Sequence, residues 1–520
     1  MAFKSYRRWH EKQEEIKELD KVPEETLRAL GLTREKLKAM ALVFRGTIYV
    51  PGDPGYNQAR EKGNPLYPAY PQIICYPEDF ASVAQCLAWA QGHTPEPWWI
   101  AIRSGAHSTA GYSNNSGMVI DMSRLSLVTI NPLAMVLTAQ SGADFGKVNS
   151  MLNSYKVHTP GGGCPEVCVG GFMQGGGYGF TSRQFGMNCD NVIEFQMMLY
   201  DGSIVVANQT QNKNLFWAVR GGTGNNFGVL LSVTYKLYSL YNVWGWALQW
   251  TLDEAPQALS ALQQGYMRTG APKELGYQAM LATTQVNNSQ AFVAIGMFDG
   301  SPGDGLKAIQ PLRSVGSPKL IYNNVGTYDD LNVSLLDNIL SPPPPNDDLV
   351  EFKQSGYIAS PVSPAQWEPI VEYYAKAPNK FAMMGIEPYG GAITSYAGYP
   401  NSFMHRQVDC DLFVDSFFNA GGTPTTRQQA KDFIDGMMAL LQPRMNGEVY
   451  QNYPYRGLVN FSQAYWMGAY PGLQVVKLAY DPKNVFHFEQ SILPPSVEEV
   501  KGMEKLPGGY DLVKEEIVRV

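Results

Sequence analysis

Nine of the nineteen residues in Gly161-Gly-Gly-Cys-Pro-Glu-Val-Cys-Val-Gly-Gly-Phe-Met-Gln-Gly-Gly-Gly-Tyr-Gly179 are glycine. So many positions without a Cβ point to backbone pressed against something flat or charged, which a side chain would hold away. Upstream, Arg103-Ser-Gly-Ala-His-Ser-Thr-Ala-Gly111 is a second tight loop and carries one of only six histidines. The two segments read as paired backbone cradles, each bearing one nucleophilic side chain, His107 and Cys164. Either loop alone reads equally well as a chain reversal. Neither fits the common phosphate motifs. Gly175-Gly-Gly-Tyr-Gly179 lacks the Lys-Ser/Thr of a P-loop, and Gly221-Gly-Thr-Gly-Asn-Asn-Phe-Gly228 lacks the acidic residue of a dinucleotide fold.

At 520 residues the chain exceeds what one hydrophobic core organises, so two domains are expected. From about residue 70 the pattern alternates between strand and helix. Pro71 to Tyr76, Trp98 to Ile102, Met118 to Met122 and Met135 to Ala139 read as strands, and Asp79 to Ala90 and Phe145 to Tyr155 as helices. Asp201-Gly202 is a hairpin turn between 192–200 and 203–207, and 228–238 alternates like a half-buried strand. From 240 to 450, strands such as 243–251, 276–283 and 291–298 alternate with amphipathic helices at 255–266 and 426–441. That region is expected to be an antiparallel sheet with helices on one face. The predicted class is α+β. The expected domains are a solvated helical extension over 1–45, a cofactor domain over 46–238, a substrate domain over 239–454 and a return to the cofactor domain over 455–520. Pro342 to Pro345 reads as a stiff linker.

A net charge of −7 argues against nucleic acid and anionic membrane as partners. The six cysteines form no disulfide framework in a chain this long, and Cys164 and Cys168 lack a second ligand pair for zinc, so no metal is expected. The first ten residues show no apolar signal core, and the protein reads as cytoplasmic.

Four blocks in order make a resemblance specific. They are Arg103-Ser-Gly-Ala-His-Ser108; Cys164-Pro-Glu-Val-Cys-Val-Gly-Gly171 with its Gly175 to Gly179 tail; Asp190-Asn-Val-Ile193 through Leu215-Phe-Trp-Ala-Val-Arg-Gly-Gly222; and Tyr450-Gln-Asn-Tyr-Pro454 followed by Tyr480 to Phe488. The chain resembles the berberine bridge enzyme-like flavoproteins of the vanillyl alcohol oxidase superfamily. That resemblance implies a flavin-binding domain of the p-cresol methylhydroxylase type. It also implies one FAD bonded covalently to both His107 and Cys164. The cradle would comprise Arg103, Ser104, Gly105, Ala106, Ser108, Gly111, Val167, Val169, Gly170, Gly171, Gly175, Gly176, Gly177, Gly179, Val192 and Asn452. Two positions depart from the family pattern. Ala106 replaces a glycine, which a negative φ would tolerate, and Phe172 replaces a histidine. Val169 sits where an oxygen gate is expected, and its small side chain resembles the oxidases.

The implied reaction moves a hydride from a small-molecule substrate to the flavin, with O₂ as acceptor. The hydroxyl proton then needs a base within hydrogen-bond reach. By resemblance that is Tyr450, although a phenol titrates near 10 unless a cation or hydrogen bond favours phenolate; the alternative is a packing role. Asn452, two residues on, shares its face in a strand. In His405 to Asp415 the two-residue period puts Asp409, Asp411 and Asp415 on one face, either a charged cleft wall or, as the preferred reading, a solvated surface. Asp411 is kept as a partner for Tyr450, and Glu387 as a further cleft candidate. The open functional alternatives are an oxidase, a flavin dehydrogenase or ring-forming biosynthetic enzyme, and a non-enzymatic flavin binder.

Overall fold

The computed structural model describes residues 12, 16–268, 270–340 and 349–496. The Pro342 to Pro345 linker and residues beyond 496 lie outside the described residues.

The first sheet has four strands, β1 (Gly46–Tyr49), β2 (Ile73–Pro77), β3 (Ile100–Arg103) and β4 (Met118–Asp121), in the order β1-β2-β4-β3. Parallel β2, β3 and β4 are apolar and buried apart from Arg103 and Asp121, which end β3 and β4 and pair with each other, as strands covered on both faces require. Helices α1 (Glu24–Ala29) and α2 (Arg34–Val43) precede this sheet, and α3 (Phe80–Gln91) follows β2. Asp79 starts α3 by accepting the Ser82 amide at 2.8 Å. The expectation of a solvated N-terminal extension is corrected here. Leu19, Leu27, Leu37, Met40 and Phe44 are buried in one cluster with Ile73, Leu87 and Ile120. The chain from 19 to 44 is part of this core because its leucines recur on one helical face, which an exposed segment would not hold dry.

Next come β5 (Val128–Asn131), β6 (Val136–Gln140), α4 (Phe145–Ser154), β7 (Val157–His158), α5 (Val169–Gln174), β8 (Val192–Met198), β9 (Ile204–Asn208), β10 (Val229–Lys236) and β11 (Tyr238–Ser239). Five of these strands form a sheet in the order β5-β6-β10-β8-β9, while β7 pairs with β11. β8 and β9 pair antiparallel across Asp201-Gly202, and Gly202 takes φ +83°. β10 is not half-buried as its alternation suggested. It is the central strand and is buried along nearly its whole length, with the N-terminal sheet's core on one side and the 128–237 cluster on the other.

The third sheet has seven strands and is antiparallel throughout. Its strands are β12 (Val243–Trp250), β13 (Leu275–Thr283), β14 (Gln290–Phe298), β15 (Lys319–Gly326), β16 (Leu349–Ile358), β17 (Met383–Pro388) and β18 (Cys410–Asn419). Their order is β15-β12-β14-β13-β17-β18-β16. One face carries Trp246, Leu248, Tyr277, Ala279, Ile386, Leu412 and Val414, packed under helices α6 (Ala255–Tyr266), α8 (Pro364–Tyr374) and α9 (Pro424–Leu441). On the other face, Val293, Ile295 and Met297 lie under α7 (Tyr328–Ile339). The period of two then puts Glu387, Asp411, Phe413 and Asp415 on that same second face, at the β17–β18–β16 end. The segment after 455 packs back onto the 128–237 core through Tyr465, Trp466, Leu473 and Val476. Lys477 anchors it, donating to the carbonyls of Asn226 at 2.6 Å and Phe486 at 2.5 Å while paired with Asp481.

Candidate functional site

β3 ends at Arg103 and delivers the His107 loop. Arg103 is fully buried and committed to structure. Its Nε donates to Asp121 at 2.7 Å, and one terminal nitrogen donates to the Ala59 carbonyl and the Tyr76 hydroxyl. Beyond it, none of the seven backbone N–H groups from Ser104 to Ala110 donates to another backbone carbonyl among the described residues. The loop lies directly against the Cys164 segment, since a Cβ on Gly105 would stand 2.8 Å from the Glu166 carbonyl and 3.0 Å from the Cys168 nitrogen. His107 and Cys164 are thus carried on touching loops, and both are exposed to solvent. Neighbouring protein still desolvates them. It lowers the His107 pKa and, with the Glu166 charge, raises the Cys164 thiol to about 11. The Cys164 loop is held from above by α7: Asn332 donates to the carbonyls of Gly162 and Gly163, each at 3.2 Å. Asn332 is 1 % exposed, so its side chain serves the packing of α7 on the loop.

Ala106 adopts φ +62°, so the condition under which its methyl would be tolerated without strain is not met. The left-handed region costs a residue with a Cβ about 1–2 kcal/mol relative to its right-handed form. Ala106→Gly is therefore expected to raise stability by about 1 kcal/mol, read from a denaturant midpoint at constant slope. An unchanged or lower midpoint would show that the loop's strain is absorbed elsewhere.

The polar wall of the third sheet faces these loops. Glu387 on β17, Asp411 on β18 and Tyr357 on β16 are directly opposite one another in the ladders. Four residues along each strand, on the same face, stand Met383, Asp415 and Lys353. The preferred solvated reading of the aspartates is corrected: Asp411 is 0 % exposed and Asp415 is 5 % exposed. Asp409 leaves the row and pairs with Arg268 at 2.9 Å and Gln263 on α6 at 2.9 Å. Among the described residues, neither carboxylate oxygen of Asp411 has a hydrogen-bond partner, nor does Glu387 Oε2. Glu387 Oε1 accepts from the Tyr453 hydroxyl at 2.9 Å and from Gln278 at 3.1 Å. Burial pushes the Glu387 carboxyl up to about 7 against the Tyr453 bond and the Lys353 charge. Burial and the neighbouring Glu387 raise Asp411 well above the usual carboxylate range.

Tyr450 and Asn452 lie between the wall and the glycine-rich loop. The Tyr450 oxygen accepts from the Gly177 amide at 2.9 Å and from the Asn452 side chain at 3.2 Å. Asn452 also donates to the Phe172 carbonyl at 2.9 Å. These two donors are the hydrogen bonds that would favour phenolate. Burial and the Glu387 and Asp411 charges outweigh them and raise the Tyr450 pKa. Its ring packs edge-on against Tyr453 at 5.0 Å and Phe403 at 6.2 Å.

Comparison with known proteins resolves what such a pair of loops and such a wall belong to. Residues 71–208 match the model of an FAD binding domain, and residues 449–493 match the "Berberine and berberine like" model. The chain carries an FAD binding domain and a berberine-like segment, and its relatives include FAD-linked oxidoreductases and berberine bridge enzyme-like proteins. An uncharacterised FAD-linked oxidoreductase of Bacillus subtilis is 28 % identical over 455 residues, 86 % of this chain and 97 % of that protein. A xylooligosaccharide oxidase of Thermothelomyces thermophilus is 27 % identical over 418 residues, 76 % of this chain and 82 % of the other. In fold, a variant of Physcomitrella patens berberine bridge enzyme-like 1 superposes with a TM-score of 0.79 at 23 % identity, covering 88 % of this chain and 99 % of that one.

The residues present suit FAD. The run of free amides from 104 to 110 is a donor set for an anionic diphosphate. A Cβ on Gly171 would meet nothing within 4 Å, and Val167 is only half-buried. Ser104, Ser108 and Gly111 sit on the same loop. Other expected contacts of this chain serve its own packing. A Cβ on Gly175 would stand 2.0 Å from Asn452 Oδ1, and one on Gly179 would stand 1.8 Å from the Gly161 carbonyl. Gly170 abuts Ser104 and Ser141, Gly176 abuts Phe403, and Gly177 abuts Phe172 and Asn188. Val192 begins β8 inside the core. Val169 is fully buried in that core, with its amide on the Ala143 carbonyl at 2.9 Å. These glycines are required by close approach, as the sequence indicated, and on the side a Cβ would occupy the neighbour is protein. Lys353, Tyr453 and Asn332 were not foreseen. Only Tyr453 lay in a quoted motif, and the other two act through contacts more than 60 positions away in sequence.

Proposed function

We propose that this flavoprotein is an oxidase acting on an alcohol carbon of a carbohydrate or related secondary metabolite, with O₂ as acceptor and H₂O₂ as product. FAD, when bound, supplies the hydride acceptor and returns the electron pair to O₂. His107 through imidazole nitrogen and Cys164 through sulfur would hold it covalently, and the Ser104 to Ala110 amides would take its diphosphate. The observation that carries the reading is the buried Glu387–Asp411 pair with its unpartnered oxygens. A buried carboxyl without a partner costs stability unless a ligand group meets it. Asp411 takes the substrate's hydroxyl proton, with Tyr450 held in orientation by Gly177 and Asn452. Two curated relatives are named for oxidising oligosaccharides, from Thermothelomyces thermophilus and Sarocladium strictum, which supports a carbohydrate substrate.

The dehydrogenase reading stays as the second, because buried Val169 does not by itself argue for an oxygen path. One experiment separates them: sugars, alcohols and phenolic metabolites are screened anaerobically for bleaching of the flavin, then aerobically for peroxide. Bleaching with slow reoxidation would favour the dehydrogenase, and no bleaching by any class would sink both.

A pH dependence follows from the carboxyl pair. Glu387 is pushed up to about 7 and Asp411, the proposed acceptor, well above the usual carboxylate range, so the ionised acceptor accumulates only as pH rises. The rate of substrate-driven reduction should therefore rise with pH, through an apparent pKa above the ordinary carboxylate range that belongs to the pair. Stability runs the other way. A carboxyl pKa raised by folding contributes fully below its ordinary value and loses that contribution as pH climbs through about 7. Melting temperature against pH for wild type and Glu387→Gln checks the sign: the wild-type decline between about 4.5 and 7 should be shallower in the variant.

A further inference from the structure

We infer that Lys353 is a positioning residue of this site, a buried cation that holds Tyr453 against Glu387 and balances the carboxylate wall. The assignment of a role in turnover rests on the oxidoreductase reading above; the electrostatic assignment does not.

Lys353 projects from β16, the edge strand, yet its side chain is only 8 % exposed. A lysine is rarely buried without partners. Here Asp415, directly opposite in the ladder, accepts from its ammonium at 2.7 and 2.8 Å. Glu351, on the same strand and face, stands 3.8 Å away. The ammonium also sits 4.0 Å from the centre of the Phe413 ring and 4.4 Å from that of Tyr453. A cation over a ring draws on its electron-rich face, and a phenol polarised in this way is a stronger hydrogen-bond donor. The Tyr453 hydroxyl spends that strength on Glu387. One continuous chain therefore runs Asp415, Lys353, the Tyr453 ring, the Tyr453 hydroxyl, Glu387 and its opposite neighbour Asp411.

The groups facing this cation are Glu351 from β16, Asp411 and Asp415 from β18, Glu387 from β17 and Tyr453 from the 450–454 segment, with Cys164 from the loop beyond. That makes four carboxyls on the wall to one ammonium. Burial opposes the charge on Lys353, but Asp415 and Glu351 outweigh it and raise its pKa, so it stays cationic across the working range. The Lys353 charge in turn opposes the burial that raises Glu387, Asp411 and Glu351. Without it, the pair would have to ionise inside an uncompensated negative wall.

The test uses the full-length holoenzyme. Infrared spectra taken across a pH series, without substrate, follow conversion of buried carboxyl to carboxylate. Anaerobic flavin reduction by whichever compound the substrate screen identifies is followed over the same series. In Lys353→Met, the infrared midpoint and the acid limb of the reduction rate should both move up by about one pH unit or more, a tenfold loss of ionised form below the midpoint. Lys353→Arg should keep both close to wild type. Folding is checked by circular dichroism. If Lys353→Met does not fold, Asp415→Asn takes its place: it removes a negative charge and leaves the cation, so the midpoint should move down. A folded Lys353→Met with an unmoved midpoint, or an Asp415→Asn midpoint that stays or rises, overturns the inference. Infrared shifts as expected in a protein that no substrate reduces would overturn the oxidase reading and leave the electrostatic assignment standing.

Discussion

Asp411→Asn is expected to lower the rate of substrate-driven flavin reduction by about 10²–10⁴ fold, the range a positioned general base contributes, with little change in fold or flavin content. The substitution keeps the volume of a side chain that is 0 % exposed and removes a carboxyl whose two oxygens have no hydrogen-bond partner among the described residues. It also removes a like charge directly opposite Glu387, so the protein should be no less stable above pH 7. Tyr450→Phe separates the proton acceptor from the residue that orients. Its oxygen accepts from the Gly177 amide and from Asn452, and losing it leaves a buried N–H without an acceptor, at about 1–3 kcal/mol. A rate loss there of less than about threefold would reduce Tyr450 to packing. A loss equal to that of Asp411→Asn would make the two residues one proton path. Single-turnover reduction, measured anaerobically, gives both numbers, and an Asp411→Asn rate within threefold of wild type would remove Asp411 from the chemistry.

The second large effect concerns the two loops. His107→Ala and Cys164→Ala are each expected to retain covalently bound flavin with lowered activity, because the remaining residue still holds it. The double variant should release all of its flavin on acid precipitation. The readout is flavin absorbance in the supernatant against the pellet, with peptide mass spectrometry to place the modified residues. Wild-type protein that released all its flavin would disprove the tether at both positions. A Cys164→Ala protein that released all of it would leave His107 without a covalent role. The touching geometry of the loops makes the pair plausible as one unit: Gly105 has no room for a Cβ against Glu166, so a displacement of one loop displaces the other.

Fold elements set by local pattern were legible in the chain. The strands at 243–250, 275–283 and 290–298 and the helices at 80–91, 145–154 and 255–266 fall within two residues or so of their expected limits, because a period of 2 or 3.6 is written into consecutive residues. The same holds for the two loops, whose glycine spacing announced close approach before the approached surface was known.

What covers a face is not a local property. The period of two put Asp411 and Asp415 on a common face but could not say whether that face met water. Burial there is decided by Tyr357, Tyr389 and Tyr450, which arrive from three separate segments and surround Asp411. Likewise the leucines of 19–44 were visible as helical, but the β-sheet they seal begins later in the chain. The two glycine-rich loops that carry His107 and Cys164, the resemblance to the family and the chain's alternation of elements were therefore legible in the sequence alone. The sign of φ at Ala106, the burial of the carboxylates and the reach of Lys353 to Asp415 and Tyr453 were decided only in the tertiary structure, where residues separated by 60 to 100 positions are brought within a few ångströms and water is excluded between them.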